Sequence, residues 1–128
     1  MKLLFDTHIL LWALVKPGRL PTGARLLIED DLNEPVFSAA SIWEIAIKAS
    51  LCRRSFDVDP KIMRRGLLES GYRELPIVSE HAMALEDLPL LHKDPFDRVL
   101  VAQAIVEDMA LITADPVVAR YPGPVRHV

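Results

Sequence analysis

The chain holds one cysteine, Cys52, among 128 residues. No internal disulfide framework can form, and a lone thiol is compatible with a reducing compartment. Cys52 follows Leu51 at an expected helix end, with no histidine or acid pattern around it. It reads as a small semi-buried filler, not a nucleophile. Aromatic residues are scarce at 6%, whereas hydrophobic residues reach 51%, so the core must be built from Leu, Val, Ile and Ala. A basic excess is missing too. The formal net charge is −3, which excludes gripping nucleic acid by bulk electrostatics. Any such contact must use local patches such as Arg53-Arg54 or Arg64-Arg65, pairs that a solvated surface explains equally well. No apolar run approaches a membrane span. The apolar start after Lys2 is interrupted by Asp6 and His8 and lacks a small-residue cleavage site, unlike a signal peptide. Repeats, low-complexity tracts and linkers are absent. The expectation is one soluble, cytoplasmic domain over residues 1–128, long enough for a real core and too short for two.

What is present is an alternation of strand and helix patterns, punctuated by ten prolines that fall mostly at element boundaries. Strands are expected at 2–5, 35–38, near 73–77, at 110–113 and near 125–128. Helices are expected at 7–14, at 22–32 with Thr22 as cap and Leu26, Leu27 and Leu32 inward, and at 40–51. Further helices follow at 60–70, near 79–87 and at 95–109, with a helical turn after Pro116. Such alternation implies an α/β fold with a parallel sheet and right-handed crossovers. Gln103 is the one polar residue between Val99 and Val106. That helix is therefore expected to be buried on more than one side, against the sheet and another helix or a second subunit.

Four carboxylates carry the chemistry. Asp6 ends the run Lys2-Leu3-Leu4-Phe5, Asp115 ends Ala110-Leu111-Ile112-Thr113-Ala114, and Asp97 opens the apolar helix that feeds the second run. Residues just past the carboxyl ends of parallel strands crowd into one crevice. Acids gathered there without matching bases repel one another and resist desolvation, for which a hard divalent cation is the usual remedy. Each acid also has a plain structural explanation. Asp94-Pro95 and Asp115-Pro116 are cap-then-proline helix starts, and Asp6 can cap the helix beginning at Thr7; Asp94 is assigned the capping role in its segment. Glu44 is the most discriminating residue. In the segment 39–48 only Ser41, Glu44 and Lys48 break an apolar helix, giving one narrow polar stripe. A solvated face with a Glu44–Lys48 pair and an internal polar crevice account for it about equally.

The residues thus support a metal site built from Asp6, Glu44, Asp97 and Asp115, holding one or two Mg²⁺ or Mn²⁺ ions that activate water against a phosphodiester. Thr113, on the strand face of Asp115, is a supporting candidate for a metal-bound water or phosphate oxygen, and strand packing explains it as well. His8, His81, His92 and His127 offer a metal-free rival by acid–base catalysis, but they share no motif; His8 is close to Asp6 at the rim of the site, and the others read as surface residues.

The segments Leu3-Leu4-Phe5-Asp6-Thr7-His8, Ser41-Ile42-Trp43-Glu44-Ile45, 92–104 (with Asp94-Pro95-Phe96-Asp97-Arg98) and Leu111-Ile112-Thr113-Ala114-Asp115 resemble PIN-domain proteins, and more closely the VapC toxins of VapBC toxin–antitoxin modules. The resemblance extends over nearly the whole chain in the expected order. It implies a PIN-like three-layer fold with a central parallel sheet of 4–5 strands flanked by helices. It also implies an Mg²⁺-dependent ribonuclease site whose four acids fall on Asp6, Glu44, Asp97 and Asp115, with Thr113 at the usual Ser/Thr position and Thr7 beside the first acid. A homodimer and a cognate VapB-type antitoxin are implied as partners, the antitoxin tail crossing the active-site groove. Trp12 and Trp43 are then interface candidates, although core packing is the ordinary role for each. Two other classes compete with an RNA-cleaving toxin: a non-catalytic acidic-pocket binding module, and a receiver-type signalling domain. The receiver would need its phosphoacceptor after the third strand, where only Asp57 and Asp59 of a poorly apolar loop stand.

Overall fold

A computed structural model of the chain describes residues 1–51 and 57–128; Cys52 and the Arg53-Arg54 patch lie outside the described residues. Five strands form one all-parallel sheet in the order β3-β2-β1-β4-β5. They are β1 (Lys2–Phe5), β2 (Glu34–Ser38), β3 (Arg73–Leu75), β4 (Ala110–Thr113) and β5 (Val125–His127). Six helices join them: α1 (Thr7–Val15), α2 (Thr22–Glu29), α3 (Ala39–Leu51), α4 (Pro60–Glu69), α5 (Ser79–Ala84) and α6 (Pro95–Glu107). The α/β fold with its central parallel sheet is as expected. A receiver sheet runs 2-1-3-4-5, so this strand order removes that alternative.

Strand alternation sends successive side chains to opposite faces, and both faces are covered. Leu3, Phe5, Phe37 and Ile112 pack with Ile9, Leu10, Ile45, Met63 and Leu67 of α1, α3 and α4. Leu4, Val36 and Leu111 pack with Leu100, Val101 and Ala104 of α6. Helix α6 buries five consecutive residues, Leu100 to Ala104, because the sheet lies on one side and α3 and α5 on the others. Its one interior polar group is fully paired. Gln103 Oε1 accepts from Ser38 Oγ at 2.5 Å, and its Nε2 donates to the Pro76 carbonyl at 3.3 Å.

Several boundaries differ from expectation. Helix α2 stops at Glu29, since the Asp30 carboxylate takes the Leu32 N–H and the Asp30 carbonyl takes that of Asn33, a turn that competes with the helix. Its buried face is Ala24, Leu27 and Ile28; Leu26 and Leu32 are 62% and 85% exposed, not inward. Thr22 is the first helical residue rather than its cap, the preceding position being Pro21 with no side-chain cap bond. Strand β3 ends at Leu75, because Pro76 has no N–H for the ladder. Helix α6 closes at Glu107, where Asp108 turns left-handed (φ 55°) and its N–H bonds to the Ala104 and Ile105 carbonyls. No helix among the described residues is long and apolar enough to cross a membrane.

Gln103 generates a stability test. Gln103→Leu leaves the Ser38 hydroxyl proton and the Pro76 carbonyl unpaired, at about 1–3 kcal/mol per buried orphan, while Ser38 Oγ keeps the Ala40 N–H. Urea unfolding is expected to show a lower midpoint with an unchanged slope; an unchanged midpoint contradicts the assignment.

Candidate active site

Parallel strands end on the same edge, and at β1 the chain order reverses: β2 and β3 extend to one side, β4 and β5 to the other. The crevice between the carboxyl ends of β1 and β4 is the place where ligands bind in such sheets. Asp6 leaves β1 there and is 3% exposed. Its N–H bonds to the Ile112 carbonyl, which ties it to the end of β4. One carboxylate oxygen, Oδ1, takes the His8 N–H at 3.1 Å and caps α1, while Oδ2 takes the Thr113 hydroxyl at 2.7 Å. Thr113 also receives the Asp115 N–H. It is thus a fixed brace between two acids rather than an open hydroxyl for a water or phosphate. Thr7 is buried and donates to Ser41 at 2.8 Å, joining the starts of α1 and α3.

The α3 stripe faces inward. Ser41 and Glu44 are buried, and Lys48 pairs with Glu44, so both accounts of the stripe hold in part. Glu44 Oε2 meets Lys48 Nζ at 2.7 Å. Among the described residues, Glu44 Oε1 is the one buried side-chain polar atom without a hydrogen-bond partner.

At the head of α6, Asp94 caps the helix by accepting the Phe96 and Asp97 N–H groups, which leaves Asp97 free to face the crevice. Burial first, and then the charges of Asp6, Asp94, Glu44 and Asp115, push the Asp97 carboxyl up to about 8. Asp6 is also raised, chiefly by burial and with a smaller push from Glu44; its bonds from Thr113 and His8 oppose the shift. The four sequence-predicted acids therefore share one electrostatic neighbourhood. Asp115 is the most exposed of them and spends Oδ1 on the Val117 N–H. A cleft of about 270 Å³ opens beside Asp6, His8, Trp12, Ala114 and Asp115.

His92 is the residue that sequence reasoning missed. Its Nε2 lies 3.2 Å from Asp97 Oδ2 and 3.6 Å from Asp115 Oδ2, so it is a site residue and not a surface one. Its Nδ1 accepts the Asp94 N–H. The neutral ring must then carry its proton on Nε2, the nitrogen that stands beside Asp97 and Asp115. In this tautomer Nε2 donates and cannot ligate, although His92, Asp97 and Asp115 together have metal-ligand spacing. The loop is held by Tyr121, whose hydroxyl takes the His92 N–H at 2.9 Å and a proton from Arg98 at 3.2 Å. The only sequence signal was the spacing of His92 to Asp94. His81 was also taken for a surface residue, yet it is buried, bonded to the Val78 N–H and to Glu107. Trp43 departs the other way: it is 55% exposed, not core, and stands edge-on to Phe96 at 5.0 Å.

The donor set fits a hard divalent cation. Its four carboxylates offer oxygen donors, it holds an orphaned Glu44 atom, and its excess charge disfavours ionisation when nothing neutralises it. Among the described residues, ligand spacing itself is met by His92, Asp97 and Asp115 and not by Asp6 or Glu44. A pH dependence follows for the metal-free protein. Asp97 rises from 3.8 to about 8 on folding, so the folded chain keeps a proton that the unfolded chain releases. That contribution to stability is complete below pH about 4 and is lost as pH climbs to about 8. Thermal melts in EDTA are expected to fall across this window, and Asp97→Asn to flatten the fall; a slope unchanged by the substitution contradicts the assignment.

No curated protein matches the sequence. Among solved structures, VapBC2 from Rickettsia felis, crystallised bound to a DNA fragment from their promoter, is similar in fold. Its TM-score is 0.72 at 17% sequence identity, over 99% of this chain and 98% of that one. The PIN domain family matches residues 3–124. The match spans nearly the whole chain, and the chain belongs to the PIN-domain family.

Proposed function

We propose that the protein is a metal-dependent endoribonuclease, the toxin of a VapBC-type toxin–antitoxin pair, acting in the cytoplasm as one PIN domain over residues 1–128. The observation that carries this reading is the setting of Asp97 at the crevice, where burial first, and then the charges of Asp6, Asp94, Glu44 and Asp115, push its carboxyl up to about 8. Family membership and the fold shared with VapBC2 support it. A VapB-type antitoxin and a second copy of the chain are the partners the reading requires.

Asp6 and Asp97 are the residues that would hold the principal Mg²⁺ or Mn²⁺, with Glu44 and Asp115 completing the first or outer shell. When bound, the cation neutralises the acids, polarises the scissile phosphate and makes water a stronger nucleophile. The protein supplies the preorganisation. Thr113 and the His8 N–H fix both oxygens of Asp6, so this carboxylate needs no reorientation during the reaction. His92 Nε2 stands 3.2 Å from Asp97 Oδ2, and Asp94, by capping α6, keeps the Asp97 backbone in place. Hydrolysis by water in line leaves a 5′-phosphate and a 3′-hydroxyl.

The test is cleavage of cellular RNA by antitoxin-free protein in Mg²⁺, in Mn²⁺ and in EDTA. Asp97→Asn is expected to lower the rate at least about a hundredfold, the scale of removing one charge-stabilising group. Thr113→Val should lose about 10- to 100-fold, because it frees a ligand without deleting it. Undiminished cleavage in EDTA, or 2′,3′-cyclic phosphate ends, would sink the mechanism.

A further inference from the structure

The acid cluster contains a permanent cation, and it is not the one nearest Asp97 in sequence. Arg98 is committed elsewhere: Nη1 donates to the Pro89 carbonyl and the Tyr121 hydroxyl, and Nη2 to the Leu85 carbonyl. His8 stands 3.9 Å from Asp6 with its side chain 59% exposed. Lys48 is different. One turn beyond Glu44 on α3, its Nζ sits 2.7 Å from Glu44 Oε2. The ammonium is thus bonded directly to one of the four acids, a buried carboxylate.

Glu44 is divided between its two oxygens. Oε2 takes the ammonium, while Oε1 is buried with no partner. A divalent cation drawn to Oε1 and to the acids around it meets a positive charge already bonded to the other oxygen of the same carboxylate. Two like charges at that separation in a partly desolvated crevice oppose each other strongly. Lys48 also has somewhere to go, because 41% of its side chain is open to solvent, and withdrawing it disturbs no packed core.

We propose that Lys48 is a tethered counter-ion that holds Glu44 in the metal-free protein and competes with the divalent cation for that carboxylate. Metal loading then requires the ammonium to leave Glu44. The resident lysine sets the cation concentration at which the site fills, and it keeps the empty site from carrying its full negative charge. The inference rests on the metal-dependent reading above and adds to it the device that tunes metal affinity. Lys48 is in this sense a positioning residue.

The experiment is Mn²⁺ titration by calorimetry on the full chain without RNA. Lys48→Met is expected to bind Mn²⁺ at least about tenfold more tightly than wild type, and Lys48→Arg, which keeps the charge, within about threefold of it. In a Glu44→Gln background, Lys48→Met should change the affinity little, since the contested carboxylate is gone. Equal or weaker binding by Lys48→Met overturns the proposal, as does an undiminished gain in the Glu44→Gln background. Wild-type protein provides a readout independent of any variant. The ¹⁵N signal of the Lys48 ammonium should move to the position of a free lysine on saturation with Mg²⁺, and a signal that stays put overturns the competition. Normal metal-dependent cleavage with equal affinities overturns only the role of Lys48. Absence of both Mn²⁺ binding and cleavage in wild type overturns the metal-dependent reading as well.

Discussion

The central strand is the constraint on which everything else depends. Leu3, Leu4 and Phe5 have no exposed surface, and β1 is paired in parallel on both sides, to β2 through Leu4 and Val36 and to β4 through Phe5 and Ile112. A strand buried on both faces and both edges has one register that keeps its apolar residues dry. Once that register is set, the residue after Phe5 has no freedom of place. It must emerge at the sheet edge beside the end of β4, and it is an aspartate. The crevice is a by-product of burying an aliphatic strand.

Three polar links then transmit this placement to the helices. The Thr113 hydroxyl joins β4 to Asp6, Thr7 joins the head of α1 to Ser41 of α3, and Gln103 of α6 joins the end of β2 through Ser38. All these side chains are buried, where an unmade hydrogen bond is expensive. The links therefore fix the angular setting of α3, and with it Glu44, more tightly than aliphatic packing alone. The repulsion among the acids runs the other way. The structure contains it with cap bonds, with the His92 ring beside Asp97 and with the Lys48 ammonium at Glu44.

Much of this was legible in the sequence, for identifiable reasons. Short apolar runs alternating with apolar helical stretches name a parallel sheet, and Asp6 and Asp115 mark strand ends by standing directly after such runs. Glu44 was visible because a polar residue in so apolar a helix needs a partner, and Gln103 for the same reason. His92 was not visible: its position depends on Tyr121, 29 residues away, and on a tautomer fixed by a loop N–H. Leu26 and Leu32 misled because apolar residues suggest an inward face; Leu26 stands on the outer side of α2, and Leu32 lies beyond the aspartate turn that ends the helix. Trp43 misled because large aromatic residues are usually buried; here the edge of Phe96 gives it cover on one side only. What the sequence could not express was contact between distant segments, and His92 and Lys48 depend on such contacts for their surroundings.

The two oxygens of each strand-end aspartate have separate duties. In Asp6 and Asp115, Oδ1 holds a backbone N–H two residues ahead, while Oδ2 turns toward Thr113 in one and His92 in the other. Folding and chemistry therefore share a residue without sharing an atom. An asparagine at Asp115 keeps the oxygen that starts the following turn and surrenders the one that faces the crevice. One amide at this position can thus take a charge out of the crevice and leave the backbone turn in place, the two a single atom apart.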